Sequence, residues 1–135
     1  MIHLQGTERL FISDDLWAFT KKLDTDGTVP RMVDFLFLGF GYAIQQGLPP
    51  ADAGSFTRQP LLAAMNIDTD MMLSIEVSAQ WYAQKSNLPL PKEASELRDL
   101  ISSIGIAGCR ELQKQWEVRR KSQIQMDIIQ NLRSK

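Results

Sequence analysis

The residues of this chain best placed to do chemistry are two aspartates, Asp24 and Asp26, in the run Leu23-Asp24-Thr25-Asp26-Gly27-Thr28-Val29. Two carboxylates two residues apart before a glycine suit magnesium-assisted phosphoryl transfer, one as nucleophile and the other as acid and base. That chemistry needs the pair at the end of a buried parallel strand. Here Leu16, Phe19 and Leu23 recur at spacings of three and four and Lys21-Lys22 close the run, the pattern of an amphipathic helix and its last turn. A calcium loop fails as well: the twelfth position counted from Asp24, where a bidentate glutamate belongs, is Phe35. Asp24 to Gly27 therefore reads as a helix stop, with Thr28 capping the next helix.

The remaining reactive side chains are sparse. His3 is the only histidine and Cys109 the only cysteine, far apart in sequence, so neither a metal site nor a cysteine–histidine nucleophile is expected. His3 reads as a frayed terminal residue and Cys109 as a small core side chain. No glycine spacing matches a phosphate-cradling loop. Trp17, Trp81, Trp116 and Tyr82 could stack on bases, but each lies on or beside an apolar helical stripe and reads as core. The expectation is a protein without catalytic centre, cofactor or metal.

Around these residues the chain has the composition of one ordinary globular domain, 135 residues with 44% apolar and 23% charged side chains. The N-terminus lacks the basic and apolar regions of a secretory signal, and the longest apolar run, Met32 to Ile44, is interrupted by Asp34. With a single cysteine, the prediction is a cytoplasmic protein that does not enter the membrane. The net charge of −1 is unevenly divided: residues 1–105 carry −5 and residues 106–135 carry +4. A basic tail on an acidic body suggests a charged partner or contact between copies.

Five helices and one short N-terminal strand are predicted, so the fold class is mostly α. Arg9 to Ser13 is the strand, and Ser13 caps a helix whose first turn carries Asp14 and Asp15. From Met32 to Ile44 nearly every helical face is apolar, which requires a central place in a core or a shared place between subunits. Gly39 and Gly41 in that helix point to close approach of another backbone, and Gly47 stops it. Leu48 to Pro60, with three prolines and a glycine, is the main loop. A third helix starts at Asp68 or Thr69 with the stripe Met72, Ile75, Ala79 and Tyr82. A fourth carries Leu97, Leu100, Ile101 and Ile104 and is stopped or kinked near Gly105 and Gly108. The last runs from about Ile106 to Leu132, is interrupted at 119–123, and leaves the core halfway to offer its end to a partner. One domain over 1–135 results: a strand–helix–helix unit (1–46), a helical remainder (47–105) and a basic C-terminal helix (106–135).

The order of the first unit resembles the ribbon-helix-helix proteins. The strand Arg9-Leu10-Phe11-Ile12-Ser13 leads into a helix of about ten residues, and Gly27-Thr28 turns into a longer apolar helix. The resemblance implies a dimer whose paired strands enter the major groove, with Thr7, Arg9 and Phe11 towards bases and Gly27 and Thr28 against the backbone. The chain as a whole is similar to small accessory proteins encoded beside bacterial DNA-phosphorothioation and phage-defence systems. The resulting expectation is a dimeric, non-enzymatic DNA-associated regulator or accessory subunit contacting DNA through Arg9, Thr28, Arg119, Arg120 and Lys121. The alternative is a helical adaptor that makes no DNA contact and docks on a larger protein partner. Phe35, Phe37, Phe40, Ile124, Ile128 and Leu132 are the predicted partner interface.

Overall fold

The structure is a computed structural model, and it describes residues 2–117 and 121–133, with side chains described as far as 130. Five α-helices and one two-stranded antiparallel sheet make up the described residues, so the chain is mostly α. The predicted strand β1 (Arg9–Ser13) runs directly into α1 (Asp14–Thr25), with Ser13 at the N-cap position and Asp14 and Asp15 in the first turn, where the helix dipole favours negative charge. β1 is buried on both faces: Leu10, Phe11, Ile12 and Ser13 are all inaccessible or nearly so.

The partner of β1 comes from its own chain. Strand β2 (Arg58–Ala63) lies antiparallel to it, with Phe11 opposite Pro60 and Ser13 opposite Arg58. This corrects the expectation that the loop extends to Pro60. Pro60 reads as a loop signal, yet a proline is tolerated in a strand that has only one neighbour. On the other side the Phe11 amide donates to Ser102 Oγ at 3.2 Å. The strand is thus enclosed between β2 and α4 (Ala94–Trp116).

The turn after α1 behaves as a helix stop. Gly27 takes a left-handed conformation (φ 71°), and the amides of Thr28 and Val29 both donate to Leu23 O. Thr28 does not cap the next helix: α2 (Met32–Gln46) starts after Arg31, which holds the N-cap position and pairs with Asp34 at 3.1 Å. Pro30 lies outside the helix, and the restriction it places on Val29 delays helix entry.

The apolar helix α2 is central. Val33, Phe35, Leu36, Phe37, Phe40 and Ala43 are buried within this chain. Its main neighbour is α4, and the two meet through glycine. A Cβ on Gly108 would overlap the Gly39 carbonyl and lie 2.9 Å from Gly39 Cα; one on Gly39 would overlap Gly105 O and lie 2.7 Å from Cys109 N. A Cβ on Gly105 would come within 3.0 Å of Leu36 O. Backbone therefore touches backbone. The predicted close approach at Gly39 is present, but its partners correct the expected helix break: α4 runs unbroken through Gly105 and Gly108. These glycines, three apart on one helical face, make room for α2 rather than ending α4. Cys109 completes the crossing, its Sγ donating to Phe35 O at 3.2 Å.

Two further elements close the core. Helix α3 (Thr69–Lys85) buries Met72, Ile75, Ala79 and Tyr82, the predicted stripe, and is capped by Asp68, whose carboxylate accepts the Met71 amide. The N-terminal residues are docked along it rather than frayed. Glu76, buried at 5% exposure, accepts the Leu4 amide at 2.9 Å and sits 2.8 Å from His3 Nδ1, while Gln80 bonds both the amide and carbonyl of Ile2. Helix α5 (Lys121–Arg133) folds back instead of leaving the core: Ile124 is buried, and Trp116 Nε1 donates to Asp127 Oδ2 at 2.7 Å. An indole N–H beside a core needs an acceptor, and α5 supplies it.

Two predictions follow from these contacts. By helix propensity alone, glycine to alanine within a helix stabilises by about 1 kcal/mol. At the crossing the sign reverses: Gly39→Ala and Gly108→Ala each destabilise by about 1–3 kcal/mol through overpacking, whereas Gly54→Ala, on an exposed loop, is near neutral. Urea midpoints measure this. The second concerns Asp15, which ties α1 to α4 through a bidentate contact with Arg110 at 3.1 Å. Burial raises its carboxyl, but the Arg110 hydrogen bonds and charge outweigh that and hold it below its ordinary value. A lowered carboxylate stabilises the fold above the unfolded pKa and loses that contribution as pH falls through the folded one. Arg110→Gln is therefore destabilised at pH 6 by no more than about 1 kcal/mol, since the pair is half-exposed, and the difference fades as the pH falls through the lowered folded-state pKa of Asp15.

Candidate functional site

Of the described residues predicted to contact DNA, one is buried and one is engaged by the backbone of β2. Arg9 is exposed, but its Nε donates to Leu61 O at 2.8 Å. Phe11 and Thr28 are buried, at 3% and 9% exposure, so neither offers a side chain to a base or a phosphate. Lys121 is exposed, its Nζ 3.5 Å from where a Cβ on Gly27 would stand, so the start of α5 lies against the turn after α1. Arg119 and Arg120 lie outside the described residues. The guanidinium groups of the body are engaged: Arg31 with Asp34, Arg58 with Asp99, Arg98 with Glu8 and Asp99, and Arg110 with Asp15. Arg58 and Arg110 also lie over the rings of Phe11 and Phe56, at 4.4 and 5.4 Å.

The predicted partner interface is likewise mostly consumed by the fold. Phe35 is fully buried between the rings of Phe19 and Trp116, 5.6 and 5.9 Å away, and Phe37 and Phe40 are buried beside it. The structure corrects their assignment to a partner surface: Phe35, Phe37 and Phe40 are covered within one chain, α4 and α1 being the main neighbours of α2. Ile124 is buried for the same reason, and the side chain of Leu132 lies outside the described residues. Ile128 is half-buried and lines a cleft of about 430 Å³ together with Val29, Phe37, Tyr42, Leu112 and Trp116. The walls of that cleft are apolar. Tyr42 Oη accepts a hydrogen bond from Gln115 at 2.8 Å, and Asp34, already paired with Arg31, is also in the lining.

Asp24 and Asp26 are exposed at the end of α1, a helix and not a strand. Among the described residues no three His, Cys, Asp or Glu side chains are grouped to hold a metal ion. No helix among them is long and apolar enough to cross a membrane. Cys109 is buried, and burial pushes its thiol well above the ordinary range, so the thiolate needed for reaction is scarce.

The surface that the periodicity did not single out is the outer face of α3. Leu73, Val77 and Trp81 stand there at 45%, 39% and 51% exposure. This corrects the reading of Trp81 as core; Trp116 and Tyr82 are core, at 1% and 4%. The signal was present in the spacing. Leu73, Val77 and Trp81 are four apart, a second apolar row on a helix whose core stripe is already complete with Met72, Ile75, Ala79 and Tyr82.

The state of Cys109 gives a direct test of this geometry. N-ethylmaleimide leaves the native protein unlabelled over hours, and one adduct per chain forms once urea unfolds it; mass spectrometry counts the adducts. Comparison with family models, with curated proteins and with solved structures gives no match for this chain.

Proposed function

We propose that the protein is a non-enzymatic helical accessory subunit that works through protein contacts made by the outer face of α3. The observation that carries this reading is the exposed row Leu73, Val77 and Trp81 on a helix whose other face is fully used by the core. About half of each of these side chains is still accessible, so covering the row contributes roughly 1 kcal/mol per side chain towards association. Exposed apolar groups concentrated in this way mark interaction sites, unlike single ones scattered over a surface.

The DNA-contacting form of the hypothesis keeps weaker support. Lys121 is exposed, and residues 106–135 carry a charge of +4. Against it stand the carboxylate partners of Arg31, Arg58, Arg98 and Arg110, and a charge of −5 on residues 1–105. Phosphate binding would have to displace those carboxylates or rely on α5 and its neighbours. A place in a DNA-linked bacterial defence system, in the cytoplasm, fits a subunit that bridges proteins as well as one that touches nucleic acid; the lone buried cysteine agrees with a reducing compartment.

The reading is tested by purifying tagged protein from its native host alongside Val77→Glu. Wild type retains a stoichiometric partner that the variant loses. Fluorescence anisotropy with labelled duplex DNA at low salt shows no saturable binding by either protein. Salt-sensitive duplex binding that Lys121→Glu weakens and Val77→Glu leaves intact would establish the DNA-contacting form in its place.

A further inference from the structure

The outer face of α3 has a pattern that identifies its occupant. Thr69, Leu73, Val77, Trp81 and Lys85 lie on one row of positions four apart, the ridge that most often packs between helices. The row is centred on Val77, and the face that carries it is opposite in charge at its two ends. Leu73 and Trp81 flank the centre; the first turn carries exposed Asp70 and the last carries exposed Lys85, whose Nζ is 4.9 Å from the centroid of the Trp81 ring. Between Asp70 and Lys85 the exposed face holds no charge. The one carboxylate of that stretch, Glu76, is turned inward onto His3 and Leu4.

We propose that the occupant is a second copy of this chain. Two α3 helices cross antiparallel about a two-fold axis at Val77, Leu73 of each against Trp81 of the partner subunit and Asp70 of each beside Lys85 of the partner subunit. This names the partner for the surface on which the proposed function rests. Charge selects the arrangement: a parallel pair would set Asp70 against Asp70 and Lys85 against Lys85, whereas the antiparallel pair forms two opposite-charge contacts. Shape agrees. Leu73 and the exposed Met65 border a hollow of about 360 Å³, and Trp81 borders a second of about 570 Å³ with Phe40 and Ile44. Antiparallel crossing places the indole of one copy over the first hollow of the other and Leu73 of one over the second. Each contact occurs twice, as a two-fold interface requires.

Sedimentation velocity of the full chain over a concentration series tests this. Wild type sediments as a dimer that dissociates on dilution. Asp70→Lys and Lys85→Asp each raise the dissociation constant about tenfold, because two attractive contacts per dimer become repulsive. The double variant Asp70→Lys/Lys85→Asp returns to within about twofold of wild type. Val77→Glu is monomeric, with an unchanged circular dichroism spectrum, and its urea midpoint equals that of wild type diluted below its dissociation constant, since the side chain is exposed in the monomer. A wild type that stays monomeric at every concentration, a dimer that survives Val77→Glu, or a double variant that fails to recover overturns the self-pairing. A monomeric wild type that still loses a co-purifying partner on Val77→Glu overturns it while leaving the accessory-subunit reading intact. A dimer that survives Val77→Glu together with unchanged partner capture removes both.

Discussion

Backbone contact between α2 and α4 is the constraint on which the other packing depends. Three glycines, Gly39, Gly105 and Gly108, bring the helix axes closer than any side chain would permit. At that distance the flanking residues of each helix reach past the other. Leu36 and Phe35 lie against Gly105 and Cys109, and Trp116 at the end of α4 reaches the ring of Phe35. A pair set at ordinary separation would leave voids around those rings, and voids in a core cost stability in proportion to their volume.

Other elements take their places from this crossing. The β1–β2 pair is too small to stand alone, and it is held because α4 covers it and Ser102 takes the Phe11 amide. Arg98 and Arg110 of α4 reach Glu8 and Asp15 on either side of β1. Those pairs leave few guanidinium groups of the body for an external anion. The packing thus shapes function indirectly: it engages the arginines of the body, buries Phe35, Phe37 and Phe40, and leaves the α3 face bare.

Much of the fold is legible residue by residue. The periods of Leu16, Phe19 and Leu23, of Met72 to Tyr82 and of Leu97 to Ile104 each mark the buried face of a helix, and the Asp24–Gly27 stop and the Asp68 cap are written in single residues. The strand β2 is hidden because a two-stranded sheet demands little alternation, and Pro60 imitates a loop. Continuity of α4 is hidden for a different reason. Glycine in a helix weakens it locally, and only a second helix pressed against the same face makes glycine the preferred residue. The exposed row of α3 lay in the spacing but was masked by the core stripe beside it.

Local properties of the chain, namely helical period, turn chemistry and the split of charge between body and tail, determine that it is mostly helical and that Asp24 and Asp26 end a helix. They do so because hydrogen bonding and side-chain period act within a few residues. Which apolar face is covered is a different kind of question. Its answer needs the partners of every face at once, and apolar residues read alike whether a neighbour within the chain or a second molecule will cover them. Tertiary packing decided that Phe35, Phe37 and Phe40 belong inside. It also decided that Leu73, Val77 and Trp81 remain outside, since α3 has only one face to give to the core and the stripe of Met72, Ile75, Ala79 and Tyr82 fills it.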